Sequence, residues 1–400
     1  MTSAGSTEGV IYLDHNATTP VAAEVADAME PYLREHFANP SSDHVLGRRA
    51  WRAVEEARGQ VAVLIGATAD EIVFTSGGTE SNNLAIFGVA AAAAPTRRRI
   101  VTSNVEHPAT TSPCGRLEAD GWAVARVPVT AAGTLDPNAF AGQLSTDVAL
   151  ATVMLAQNET GALMPIAAIA ALARGVGAVV HTDAAQAIGK TPVSVDDLGV
   201  DLLSIAAHKC YGPKGVGALY VRRGTPLSPL VVGAGQEGGL RPGTENVAGI
   251  VGLGAAALLA MEHLTTDAAR IAQLRDELWT ALSARVDGIR RHTPDDASLA
   301  NTLLVTFPGV LGADVLARVP QLAASTGSAC HTGEHTPNAT LLAMGNSPEV
   351  ASGAVRLSLG RGTTRAEIEA AAELLTGAHG ALVATAPSPT SPSTSKGTPR

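Results

Sequence analysis

Two residues between His181 and Gly217 have the types that imine chemistry needs. Asp183 follows an apolar run from Ala178 to Val180, and Lys209 follows a second from Leu202 to Ile205. If both runs are strands of a parallel sheet, both residues sit at carboxyl ends, where open α/β sheets hold their ligands. Lys209 is followed by Cys-Tyr-Gly-Pro-Lys-Gly, a mostly small and polar setting that offers little to a purely structural lysine. Its amine can form a Schiff base. A carboxylate can keep a pyridine nitrogen protonated so that the ring withdraws electrons, and the pair therefore suits pyridoxal phosphate (PLP). Taken alone, the two residues also read as a surface lysine and a helix-capping aspartate.

Other stretches add weight. EIVFTSGGTESNNLAIFG (71–88) is a short strand, a Ser-Gly-Gly-Thr turn and a helix. Gly77 and Gly78 let backbone N–H groups approach an anion, and Thr79 adds a hydroxyl at a helix N-terminus, so the turn can cradle a phosphate. His107 lies in a loop after the strand RRIVTS, where an imidazole can stack on a ring or carry protons; a satisfied loop histidine is the plainer reading. Asn158 follows the strand DVALATVML. Arg356 lies inside the apolar strand AVRLSLG, where a guanidinium needs an anionic partner, either a substrate carboxylate or a structural ion pair. Cys330 lies in ASTGSACHTGEHTPN, a polar, glycine-containing loop. With His331 and His335 beside it, the thiol can be part thiolate and nucleophilic. Those three residues are also metal-ligand types, but a metal site calls for more sulfur or a second cluster.

The elements that must position these groups are legible along the chain. Strands alternate with helices from residue 71 to 221, which indicates an α/β fold with a large, doubly wound, mostly parallel sheet. Residues 1–9 are expected to be disordered and 10–20 to pack with a smaller domain. A large domain is expected over 21–261. A smaller C-terminal α/β domain is expected over 262–385, opening on an amphipathic helix near 262–287 and containing strands at 301–307 and 354–360. Pro20 is expected to start the helix that runs to Leu33. Residues 386–400, rich in Pro, Ser and Thr, are expected to form a disordered tail. GAGQEGGLRPGTEN (233–246) is too rich in glycine for a helix or strand and must reach something.

The 400-residue chain is 46% hydrophobic and 3% aromatic, with a formal net charge of −9. No broad basic patch is present, which argues against nucleic acid as a partner. Three cysteines, Cys114, Cys210 and Cys330, do not make a disulfide framework and point to a reducing compartment. The run Val247 to Met261 is short for a bilayer span and reads as a buried helix. No signal peptide is visible, and a soluble, cytoplasmic protein without membrane association is expected.

Together the stretches YLDHNATTP, NPSSDH, EIVFTSGGTESNNLA, EHPA, QNETG, HTDAAQAIGK, AHKCYGPKGVGALYV, GAGQEGGLRPGTEN, GSAC and AVRLSLGRGTT resemble, in order and over roughly residues 11–375, the cysteine desulfurases. These are PLP-dependent enzymes of the class V aminotransferase-like group with fold type I. The resemblance implies that Lys209 carries the Schiff base, Asp183 pairs with the pyridine nitrogen, Gln186 and Asn158 lie near the ring, and His107 stacks on it. It implies that Gly78, Thr79 and His208 hold the phosphate, and that Thr244 reaches the phosphate of the neighbouring subunit in a homodimer. Arg356, with Asn39, would bind the carboxylate of L-cysteine. Lys209 would remove the Cα proton, and Cys330 would take the sulfur as a persulfide for a protein acceptor, releasing L-alanine.

The sequence departs from the family pattern in places. Ala206 stands where a phosphate-binding Ser is frequent, and Cys210 stands where a bulky apolar residue is usual. Gln157 replaces the first Asn of Asn-Asn-Glu. Ala-Cys-His (329–331), HTDAAQ and RPGTEN are also similar to selenocysteine lyases, which act on L-selenocysteine. A silent sulfur-carrier scaffold and a plain aminotransferase are further alternatives; the intact Lys209, Asp183, His107 and Arg356 speak against the first, and Cys330 against both.

Overall fold

The computed structural model describes residues 9–327 and 336–385. Cys330, His331 and His335, and the expectations for residues 1–8 and for the tail 386–400, lie outside the described residues.

The chain opens with a two-residue strand, β1 (Ile11–Tyr12). Seven strands then build the main sheet: β2 (Ile72–Thr75), β3 (Arg99–Ser103), β4 (Ala123–Val127), β5 (Val148–Thr152), β6 (Val179–Asp183), β7 (Leu202–Ala206) and β8 (Gly217–Val221). Their spatial order is β2-β8-β7-β6-β5-β3-β4. β4, β3, β5, β6 and β7 are parallel, while β8 is antiparallel to both β7 and β2. Two reversals cancel, so β2 runs in the direction of β7. The carboxyl ends of β2, β3, β5, β6 and β7 therefore share one edge of the sheet.

Every residue of β5 and β7 is buried. This follows from helices covering both faces of a parallel sheet. Just short of that edge a polar ladder crosses three strands. His181 of β6 bonds Thr152 Oγ1 of β5 through Nδ1 (2.8 Å) and Ser204 Oγ of β7 through Nε2 (2.9 Å). Burial pushes this imidazole down to about 4, so it holds the strands as a neutral ring.

Helix α1 (Ala23–Arg34) begins three residues after Pro20. The delay has a cause: Thr19 N–H is bonded to His208 O and Ala22 N–H to Tyr211 O, so 19–22 is committed to the Lys209 loop. Helix α2 (Val45–Ile65) stops at Gly66, which takes the left-handed conformation (φ 70°) of a helix C-cap. Helix α3 (Gly78–Ala92) follows β2, and α4 (Pro108–Ala119) follows the His107 loop.

The long helix Val247–Ser283 runs unbroken through the expected boundary at 261/262. The composition shift there reads as an element boundary in sequence, but no Pro or Gly breaks the helix between Met261 and Ser283. Its first half packs on α1 and α2. Its second half places Leu274, Leu278 and Leu282 in a separate core with Leu303, Val305, Phe307, Val355 and Leu357. It is long and apolar enough to cross a membrane, yet 56% of its most apolar window is buried inside the fold.

In the second lobe β9 (Arg290–Arg291), β10 (Thr302–Thr306) and β12 (Ala354–Ser358) form an antiparallel sheet in the order β12-β10-β9. β11 (Leu322–Ala323) pairs in parallel with β1. Leu13, fully buried, anchors the N-terminal segment in this core, where burying a leucine contributes about 1.5–3 kcal/mol.

Candidate active site

The strand ends converge on a cavity of about 230 Å³ lined by Gly78, Thr79, His107, Asn158, Asp183, Gln186, His208 and Lys209, together with small residues that include Ala206. Eight residues singled out in the sequence, from five connections, thus meet at one place.

Lys209 stands on a single 3-10 turn after β7. Tyr211, two residues on, holds a left-handed φ of 67°, a conformation that costs a non-glycine residue energy unless its surroundings enforce it. They do: its N–H donates to Thr19 Oγ1 (2.8 Å), and its hydroxyl accepts Arg361 N–H (2.6 Å). The Lys209 ammonium donates to the carbonyls of Asn16 (2.7 Å) and Ala17 (2.8 Å). Burial, followed by the Arg356 charge, pushes it down to about 8. At pH 7.5 roughly a quarter of such an amine is uncharged and nucleophilic.

Asp183 ends β6. Its Oδ2 accepts Asn82 Nδ2 (2.6 Å) and its Oδ1 accepts Ala185 N–H (2.9 Å), so the carboxylate is fixed from both sides. His107 caps α4: its Nδ1 accepts Ala109 N–H (3.1 Å), which leaves the ring proton on Nε2 in the neutral form. Burial and Lys209 lower its pKa against the pull of Asp183. His208 bonds Thr18 Oγ1 through Nδ1 (3.1 Å), and burial with Lys209 and Lys214 holds it near 4. Both imidazoles are neutral at neutral pH.

A helix N-terminus opens onto the cavity. Helix α3 opens at Gly77 (φ 146°) with no side chain capping its first turn, and Gly78 and Thr79 face the cavity. Gly78 packs on Ala206, where a Cβ at 78 would lie 3.4 Å from the alanine methyl.

Other predicted residues lie apart from this cavity. The Arg356 guanidinium is paired within its own chain: Nη2 bonds Asp14 Oδ1 (2.6 Å), Nη1 bonds Asn158 O (3.1 Å), and the buried Nε has no partner among the described residues. Asn39 is exposed, and its Oδ1 accepts Ser41 N–H (2.9 Å). Thr244 is exposed. Cys114 and Cys210 are buried free thiols, pushed up by burial to about 12 and about 11, and neither is nucleophilic.

Several site residues were passed over in the sequence. Asn16 and Ala17 carry the carbonyls that hold Lys209, Thr18 bonds His208 and Asp14 pairs with Arg356, although none of the four is assigned a role from the sequence. Asn82 holds Asp183 from one helical turn inside α3. Lys190 holds Gln186 Oε1 (2.7 Å). Glu106, beside His107, is buried with both oxygens on Met154 N–H and one on Ser103 Oγ (2.5 Å). Burial, with Asp183 adding to it, raises Glu106 to about 8.

The family described as aminotransferase class-V matches residues 11–371. The chain is 44% identical over 367 residues, 91% of its length and 93% of the relative's, to a protein of Dictyoglomus turgidum named cysteine desulfurase IscS. Among solved structures it is similar to a NifS-like protein, with a TM-score of 0.87, 35% identity and coverage of 94% of this chain and 99% of that one. It is also similar to SspA in complex with cysteine, with a TM-score of 0.78, 37% identity and coverage of 87% and 98%.

Proposed function

The chain belongs to the class-V aminotransferase family, and within it we propose a cysteine desulfurase that converts L-cysteine to L-alanine. One observation carries the reading. A lysine amine brought down to about 8 shares a cavity with a carboxylate fixed by Asn82, in a chain matching a cysteine desulfurase over nine-tenths of both lengths.

The residues present fit PLP. An uncapped helix N-terminus with Gly78 and Thr79 suits its phosphate. Asp183, already oriented, suits its ring nitrogen, and His107 Nε2, Asn158 and Gln186 border the space between. When bound, the cofactor supplies a carbon that an amine can join and a ring that draws electrons from the Cα of an amino acid. Lys209 would hold the cofactor and, once released, carry the Cα proton on Nζ. Asn16 O and Ala17 O keep that amine in place. SspA is in complex with cysteine, which supports cysteine as the substrate here.

Arg356 would orient the substrate carboxylate, with Asp14 as a neighbour to be shared or displaced. Cys330 would receive the sulfur. Cysteine and the Cys330 thiol give alanine and a Cys330 persulfide, with atoms and electrons conserved. Ser325, five residues before Cys330, pairs its backbone with that of Arg356 (2.6 and 3.3 Å). Asn338 Nδ2 bonds Thr326 O (3.1 Å), tying the two flanks of the Cys330 segment together. Five extended residues reach at most ~17 Å, which supports access of Cys330 to a substrate held by Arg356. The persulfide would pass to a protein acceptor.

A homodimer completes this reading. Phe37 (77% exposed), Val45, Trp51 and Val232 (91% exposed) are large apolar side chains left exposed on α2, in the segment before it and just before the glycine-rich loop, as an interface would use. Thr244 on that loop would then reach the partner's phosphate site, and Asn39 would lie near the interface. The packed position of the long apolar helix supports a soluble protein, and we place it in the cytoplasm.

The test is product formation from L-cysteine and L-selenocysteine by wild type, Lys209→Ala and Cys330→Ala. Alanine and, with reductant, sulfide from cysteine in wild type alone supports the proposal. Turnover of selenocysteine only, or transfer of the amino group to a keto acid without sulfide, overturns it.

A further inference from the structure

Lys190 lies four residues after Gln186 in HTDAAQAIGK, and the proposed reaction assigns it no role. The residue is partly exposed, but its tip ends between two buried side chains. Nζ donates to Gln186 Oε1 (2.7 Å) and to Asn16 Oδ1 (3.1 Å). Burial, then the charges of Lys209 and Arg356, hold this amine well below the usual lysine range.

Both acceptors lead to Lys209. Gln186 Nε2 donates to Asn16 O (2.8 Å), the carbonyl that also accepts Lys209 Nζ (2.7 Å). Asn16 is itself fixed. Its Oδ1 also accepts Asn301 Nδ2 (3.0 Å), and its Nδ2 donates to Thr302 Oγ1 (2.9 Å) and Asn158 O (3.2 Å). A glutamine amide turned over has nearly the same shape, so its neighbours decide which end faces the cavity. Opposite a lysine only the oxygen is accommodated, and Nε2 is left to face the Lys209 side.

We infer that Lys190 is a positioning residue: by holding Gln186 Oε1 and Asn16 Oδ1 it presents Gln186 Nε2 beside the Lys209 amine. The inference rests on the reading of the cavity as a PLP site. Behind Lys190 lies a second cavity of about 30 Å³, also lined by His15, Asp267 and Arg361, with room for about one water. Lys209, Arg356 and Cys210 act on Lys190 from its other sides. None of these six groups bonds Nζ among the described contacts, so its two hydrogen bonds to Gln186 and Asn16 define what it does.

Lys190→Met keeps the length and removes both donors. Wild type, Lys190→Met, Gln186→Met and the double variant, each purified with cofactor, are titrated with pH while the visible absorbance of bound PLP is followed. Lys190→Met should move the midpoint by about half a pH unit or more, the size a lost buried hydrogen bond implies. Gln186→Met should move it comparably, and the double variant should add nothing. kcat should fall about tenfold while KM stays within about twofold. An unmoved midpoint, or additive shifts in the double variant, overturns the inference. If Lys190→Met does not fold, Lys190→Gln, too short to reach both acceptors, carries the same expectation and the same refutation. A wild type without the absorbance overturns the cofactor reading and this inference together, whereas a wild-type band with an unmoved variant overturns the inference alone.

Discussion

Replacing Lys209 by Met should stabilise the cofactor-free protein at neutral pH while abolishing activity. The ammonium is brought from 10.5 to about 8 by burial and by Arg356. Holding it charged in the fold thus costs about 3 kcal/mol. The methionine loses two hydrogen bonds, to Asn16 O and Ala17 O, but Asn16 O still accepts Gln186 Nε2 and Ala17 is exposed to water. Each lost bond offsets about 0.5–1.5 kcal/mol, which leaves a gain of about 1–2 kcal/mol at pH 7. The gain has a definite pH dependence. Below about pH 8 the lysine is protonated folded and unfolded, and the cost is complete. Between pH 8 and 10.5 the unfolded lysine keeps its proton while the folded one gives it up, so wild type gains stability as pH rises and the advantage of Met shrinks. Urea unfolding of both cofactor-free proteins at pH 7 and pH 9.5 measures this, and the difference between them cancels other titrating groups. A Met variant less stable at pH 7, or a difference that does not change with pH, would refute the reasoning.

Glu106→Gln should remove an opposite slope. A carboxyl raised to about 8 keeps its proton in the fold while the unfolded one loses it above 4.5, so wild type loses up to about 5 kcal/mol between pH 4.5 and 8. Parallel stability curves for the two proteins across that range would sink the idea. Asp14→Asn should lower KM for L-cysteine about threefold or more, because the substrate carboxylate becomes the counter-charge of Arg356; it should also cost about 2 kcal/mol of stability. An unchanged or higher KM in steady-state assays contradicts this. Ala206→Ser should tighten cofactor binding several-fold by adding a hydroxyl beside Gly78 at the α3 N-terminus. Equal or weaker retention in a cofactor titration speaks against that geometry.

The sequence alone determined the alternating α/β architecture and most of the cavity wall. Each of those signals is local: an apolar run, then within a few residues Gly-Gly-Thr, His107, Asn158, Asp183 or Lys209. Because parallel strands put their carboxyl ends on one edge, the order of such runs already implies that their following residues meet. Tertiary structure alone decided what holds those residues. Asn16 holds Lys209 from 193 positions away, Asn82 fixes Asp183 across 101, and Asp14 occupies Arg356 across 342. Hydrogen-bond partners so far apart leave no periodicity or spacing to read. The helix start expected near 262 misleads for a related reason: helix continuity follows from the absence of a breaker and from packing on two cores, whereas the change in composition reflects only which core each half faces.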